Sequence, residues 1–98
     1  MAEEFLLVTD GASQGKRVDL TGAAVVIGRE EGTDLVLDDS QASRRHAEVT
    51  GSSGSWSVRD LGSTNGTFVN GTRLTGEQAL RPGDEIRIGR SRIALRST

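Results

Sequence analysis

Apolar residues along this chain fall in short runs rich in Val, Ile and Leu, separated by polar stretches in which glycine recurs every few residues. No window of about a dozen residues carries apolar positions at the i, i+3, i+4, i+7 spacing of an amphipathic helix, so the expected elements are strands and turns. Residues 4–8 and 16–20 read as two strands joined across the polar segment 10–15. Residues 23–28 (Ala-Ala-Val-Val-Ile-Gly) read as a buried strand, followed by a loop at 29–33, a short strand at 34–37 and a polar loop at 38–44. Residues 45–50 and 55–60 then pair as a hairpin across Gly51, Ser52, Ser53 and Gly54.

The remainder continues in the same way. A loop at 61–66 leads into a short strand at 67–70, and Asn70-Gly71 suits a type I′ hairpin turn because both residues tolerate positive φ. Arg81-Pro82-Gly83-Asp84 is a second turn, with proline pre-setting φ and glycine taking the left-handed position. Residues 85–89 and 92–96 close the chain as a hairpin in which Ile86, Ile88, Ile93 and Leu95 alternate with arginines, giving one buried and one wet face. About ten short strands at roughly ten-residue spacing predict an all-β fold, an antiparallel β-sandwich or barrel. Without an internal repeat, a low-complexity tract or a linker, residues 1–98 read as a single domain.

Composition narrows the functions open to such a fold. A domain of 98 residues buries roughly 60–65% of its unfolded surface. It needs nearly all its Val, Ile and Leu inside, which favours surface loops over an interior pocket as the working part. No apolar run approaches the roughly 18 residues of a membrane span, and no signal-peptide pattern opens the chain. The expectation is therefore a soluble, cytoplasmic domain that makes no membrane contact. There is no cysteine, His46 is the only histidine and Lys16 the only lysine, so nucleophiles and general bases are scarce and no enzyme motif is present. Asp34, Asp38 and Asp39 lack calcium-loop spacing and read as solvated loop acids and turn formers; neither metal nor cofactor is expected. Eleven of the twelve basic residues are arginine, yet the net charge is -2. With only Phe5, Trp56 and Phe68 available for base stacking, a nucleic-acid partner is not expected either.

The more informative pattern is the gathering of polar groups in three loops. Arg29 follows the strand ending Ile27-Gly28; Ser43-Arg44-Arg45-His46 precedes the next strand; Ser63-Thr64-Asn65-Gly66 forms the third loop. Loops collect at the ends of a sandwich, where guanidinium forks, hydroxyls, an amide and backbone N–H groups together suit a phosphate ester. On Gly28-Arg29, Ser43-x-x-His46, the block from Asp60 to Thr67 and the Pro82-Gly83-Asp84 turn, the chain resembles the forkhead-associated (FHA) domain family, phosphothreonine-binding modules, from about Phe5 to Leu95.

The resemblance implies an all-β, eleven-stranded antiparallel β-sandwich with binding loops at one end. It implies that Arg29 and Ser43 donate to the phosphate, that Arg44 adds charge or a backbone donor, and that Thr64 and Asn65 contact the peptide. His46 is expected to brace the loops, and Gly28, Gly62 and Gly66 to serve the backbone. Ala42 stands where the family often has a larger aliphatic residue, and Gln41 where peptide side chains beyond the phosphothreonine can be sampled. Arg45 is left outside the site. The implied function is phosphothreonine-dependent binding of a partner protein, a Ser/Thr kinase or its substrate, with threonine preferred over serine. Arginine-rich, lysine-poor usage adds a bacterial source. The alternative is a phosphorylation-independent scaffold meeting its partner through a sheet face, marked by Arg87, Arg90, Arg92 and Arg96.

Overall fold

The computed structural model describes residues 3–52 and 54–98, and these form eleven strands and no helix. In chain order they are β1 (Glu4–Asp10), β2 (Arg17–Leu20), β3 (Val25–Gly28), β4 (Leu35–Val36), β5 (Ala47–Ser52), β6 (Ser55–Asp60), β7 (Phe68–Val69), β8 (Thr72–Arg73), β9 (Gln78–Leu80), β10 (Glu85–Ile88) and β11 (Ser91–Ser97). No helix among the described residues is long and apolar enough to cross a membrane. Ser53, within the expected hairpin loop at 51–54, lies outside the described residues; β5 and β6 pair as far as Ser52 with Ser55.

The strands make two sheets, one in the order β2-β1-β11-β10-β7-β8 and one in the order β4-β3-β5-β6-β9. All pairings are antiparallel except that of β3 with β4, so the five-stranded sheet is mixed. Alternate residues of each sheet turn inward, as the two-residue period of a strand requires. Leu6, Val8, Ile86, Ile88, Ile93 and Leu95 come from one sheet and Val25, Ile27, Ala47, Val49, Trp56 and Val58 from the other; all are buried. The turns form where their residues predict. Asn70 (φ 49°) and Gly71 (φ 85°) both take the left-handed region between β7 and β8. At the second turn the Asp84 N–H donates to the Arg81 carbonyl, with Gly83 at φ 99°.

Antiparallel pairing decides where the loops go. Ile27 of β3, Ala47 of β5 and Asp60 of β6 stand in one row across the sheet. The chain therefore leaves β3, enters β5 and leaves β6 at the same end, and β4, parallel to β3, leaves there too. Three segments far apart in sequence become neighbours before any side chain chooses a partner.

A loop-end cleft lined by arginines and hydroxyls

Gly28 lets the first two loops meet. A Cβ on Gly28 would stand 2.0 Å from the Arg44 carbonyl oxygen and 3.1 Å from the Arg45 Cα, so the segment before β5 crosses directly over the glycine. The Arg29 N–H donates to the Ser43 carbonyl at 3.0 Å and the Glu30 N–H to the Arg44 carbonyl at 3.2 Å, fastening the crossing. The Arg29 Nε donates to the Ala42 carbonyl at 3.0 Å. That bond leaves both Nη groups without a protein acceptor among the described residues.

His46 ties the second loop to the third. It is completely buried. Its Nδ1 accepts the Ser43 N–H at 3.0 Å, and Nε2 lies 2.8 Å from the Gly66 carbonyl. Because a backbone N–H can only donate, the ring proton belongs on Nε2, which donates to Gly66. Its backbone N–H donates to Ile27 and its carbonyl accepts from Leu61, at 2.8 and 2.9 Å. With both ring nitrogens engaged, His46 has no lone pair to offer as a general base.

The third loop is built around Asp60. Its carboxylate accepts the N–H groups of Gly62 and Ser63 at 2.9 and 2.8 Å and the hydroxyls of Ser63 and Thr67. The Ser63 hydroxyl oxygen in turn accepts the Gly66 N–H at 2.9 Å. Partial burial raises the Asp60 pKa, but the bonds from the Ser63 and Thr67 hydroxyls and the two N–H groups prevail and hold it below the ordinary value. Gly62 (φ 81°) and Gly66 (φ 88°) turn the loop, and the Arg73 guanidinium lies against Gly66, its Nε 2.8 Å from where a Cβ would be.

Two bonds lock the loops to each other. The Thr64 N–H donates to the Ser43 hydroxyl oxygen at 3.1 Å, and the Asn65 Nδ2 donates to the Gln41 carbonyl at 2.9 Å. The Ser43 hydroxyl proton and the Asn65 Oδ1 keep no protein partner among the described residues. Between the loops lies an open cleft of about 470 Å³, lined by Arg29, Ser40, Gln41, Ala42, Ser43, Arg44, Arg45, Thr64 and Asn65. The five residues expected to bind thus lie together, and the four expected to support them lie beneath or beside them.

Sequence reasoning left out several parts. Arg45 lines the cleft, although the spacing alone gave no reason to place it there. Asp60 and Ser63 are structural hubs, for which an Asp followed two and three residues later by turn N–H groups was a readable signal. Asp39 corrects an expectation. It is buried rather than solvated, and it accepts the N–H groups of Gln41 and Arg90 and the Ser91 hydroxyl. Burial raises its pKa, but the bonds from Gln41, Ser91 and Arg90 outweigh this and leave it below the ordinary value. The partners that bury it lie in the turn between β10 and β11, about fifty residues away in sequence, which no local pattern reveals.

A β-sandwich that presents an acid-free cleft of guanidinium and hydroxyl donors at one end is, in chemical class, a loop-end reader of anionic groups. The model of the FHA domain matches residues 25–89, and the chain belongs to the FHA domain family. It is 42% identical over 95 residues to FHA domain-containing protein FhaB of Mycobacterium tuberculosis, covering 97% of this chain and 61% of that protein. The chain thus spans about three fifths of the length of the curated relatives it matches. A structure solved for an analysis of phosphothreonine-dependent FHA domain interactions is 36% identical and covers 96% of this chain and 95% of its own, with a TM-score of 0.87. Mycobacterium tuberculosis EmbR, solved in complex with a low-affinity phosphopeptide, is 31% identical with a TM-score of 0.84, covering 98% of this chain and 24% of that one.

Proposed function

We propose that this chain is a phosphothreonine-dependent protein–protein interaction module that binds phosphorylated segments of partner proteins in bacterial Ser/Thr kinase signalling. The observation that carries the reading is the cleft itself. Three loops are fastened by His46, Ser43 and Asn65 so that the Arg29 Nη groups and the Ser43 hydroxyl face an acid-free space without protein acceptors. A phosphothreonine brings roughly -1.5 to -2 charge and three acceptor oxygens, which this donor set complements.

Arg29 and Ser43 bind the phosphate, Arg44 adds charge at the rim, and Thr64 and the Asn65 Oδ1 hold the peptide backbone. His46, Gly28, Gly62 and Gly66 keep the loops in place. The task is binding without chemistry, and the module works in the cytoplasm beside the kinases that write the mark. The FHA structures solved with a phosphopeptide or for phosphothreonine-dependent interactions support this reading.

An NMR titration with a degenerate phosphothreonine peptide library tests it. The amides of Arg29, Ser43, Thr64 and Asn65 shift, and the same library without phosphate leaves them unmoved. Shifts confined to the outer face around Arg87 and Arg92, equal with and without phosphate, would instead support the scaffold alternative.

A further inference from the structure

Two carbonyls of the segment 39–42, between β4 and β5, seat side chains that come from other loops. The Gln41 carbonyl accepts the Asn65 Nδ2 at 2.9 Å, and the Ala42 carbonyl accepts the Arg29 Nε at 3.0 Å. Neither side chain makes another hydrogen bond among the described residues. Where these two carbonyls stand therefore decides where the guanidinium fork and the amide stand.

The segment is itself held from elsewhere in the molecule. Asp39 folds it: its carbonyl accepts the Ala42 N–H at 3.0 Å, and its Oδ1 accepts the Gln41 N–H at 2.9 Å. The Asp39 Oδ2 reaches into the turn between β10 and β11, across in the six-stranded sheet. There it accepts the Arg90 N–H and the Ser91 hydroxyl, each at 2.8 Å. Both Asp39 and Ser91 are buried. Gly89 opens that seat. It sits at φ 57°, and a Cβ on it would stand 2.8 Å from the Asp39 Oδ1 and 2.9 Å from the Gln41 Cβ. The β1–β2 loop backs the turn, since a Cβ on Gly11 would stand 3.2 Å from the Arg90 carbonyl oxygen. Gly11, Gly89, Arg90 and Ser91 do not line the cleft. A buried carboxylate that takes three donors is tightly placed, because losing any one of them leaves charge uncompensated.

We propose that Asp39 is the positioning residue for Arg29 and Asn65, and that through it the turn between β10 and β11, outside the cleft wall, sets the affinity of the cleft. The line of contact runs from Ser91 to Asp39, Gln41 and Asn65, with a branch through Ala42 to Arg29. The effect on affinity rests on the phosphothreonine reading; the placement of the two side chains does not.

Two readouts on the wild type, Asp39→Asn and Ser91→Ala test this, at a temperature where each protein is fully folded. One is the NMR position of the Asn65 side-chain amide and the Arg29 Nε–H in the free protein. The other is the affinity for a phosphothreonine peptide by fluorescence anisotropy. Asparagine keeps the size of Asp39 but turns an NH2 group toward a donor. Ser91→Ala removes one bond and leaves the Arg90 N–H in place. In Asp39→Asn both resonances move and affinity falls on the order of tenfold. In Ser91→Ala they move the same way and affinity falls roughly threefold. Ile93→Val, which trims the core on β11, lowers the thermal midpoint and leaves both readouts at their wild-type values. The inference is overturned if either readout keeps its wild-type value in the folded variants; should Asp39→Asn not fold, Ser91→Ala decides alone. Equal binding of phosphorylated and unphosphorylated peptide by the wild type overturns the phosphothreonine reading instead, and the two resonances still decide whether Asp39 positions Arg29 and Asn65.

Discussion

On the outer face of the six-stranded sheet, three arginines are matched within the molecule. Arg17 lies 3.7 Å over the Phe5 ring and pairs with Asp19 at 2.9 Å; Arg87 lies 4.2 Å over Phe68; Arg92 stands 3.4 Å from Glu85 and 3.8 Å from Asp10. At the loop end, Arg29, Arg44 and Arg45 surround a cleft with no acid and no aromatic ring in its wall. The two regions use the same residue type to opposite effect. On the sheet face a guanidinium shields aromatic surface and meets a carboxylate already present, so its field is neutralised nearby. In the cleft the Ala42 carbonyl holds Arg29, and no carboxylate pairs with Arg29, Arg44 or Arg45 among the described residues, so their charge is left for a ligand. Eleven arginines in a chain of net charge -2 therefore say little about anion binding until each one's neighbours are known.

The comparison breaks or stands first on Arg29. Arg29→Ala removes the one fork fixed in the cleft, and phosphopeptide binding falls by about 2 kcal/mol or more, roughly thirtyfold, in calorimetric titration. The thermal midpoint stays near that of the wild type, since Arg29 is exposed. Gly28→Ala comes next and acts through the fold. Its methyl group collides with the Arg44 carbonyl, so the domain loses about 1–3 kcal/mol of stability in urea denaturation. Phosphopeptide affinity drops with it although every binding side chain is still present.

Acid separates the ligand's titration from the protein's. The second phosphate pKa is about 6, so binding weakens between pH 7 and 5 while the fold persists. Asp39 and Asp60 are held below their ordinary pKa, so their contribution to stability is complete above the unfolded carboxylate value near 3.9 and is lost as pH falls through the lower folded values. The contribution of these two carboxylates is therefore complete at pH 5 and above, and thermal melts should show its loss below about pH 4. Asp60→Asn should lower the midpoint at pH 7 and flatten the acid decline. The smallest effects belong to the sheet face: Arg87→Ala and Arg92→Ala cost under about 1 kcal/mol of stability and leave phosphopeptide affinity unchanged.

What the sequence disclosed follows the range of the forces involved. Turns set by local φ preference, Asn70-Gly71 and Pro82-Gly83, were legible, as were strands with a strong apolar period such as β10 and β11. β8 and β9 were not, because Thr72, Arg73, Gln78 and Ala79 are exposed and carry no alternation. They exist as strands because β7 and β6 offer them paired edges. β5 begins at Ala47 rather than at residue 45, since Arg45 belongs to the segment crossing Gly28. In the site, residue types named Arg29, Ser43, Thr64 and Asn65, and the structure brings them to one cleft. The place of Arg45 and the burial of Asp39 depend on packing between distant segments, which no single stretch encodes.

The most direct measurement is the affinity of one phosphothreonine peptide for the Arg29→Ala and Arg87→Ala proteins, with the unphosphorylated peptide on the wild type as the baseline. The loop-end cleft predicts that Arg29→Ala falls close to that baseline while Arg87→Ala matches the wild type. Full affinity in Arg29→Ala together with weakened binding in Arg87→Ala would contradict it, and would move the binding surface to the sheet face.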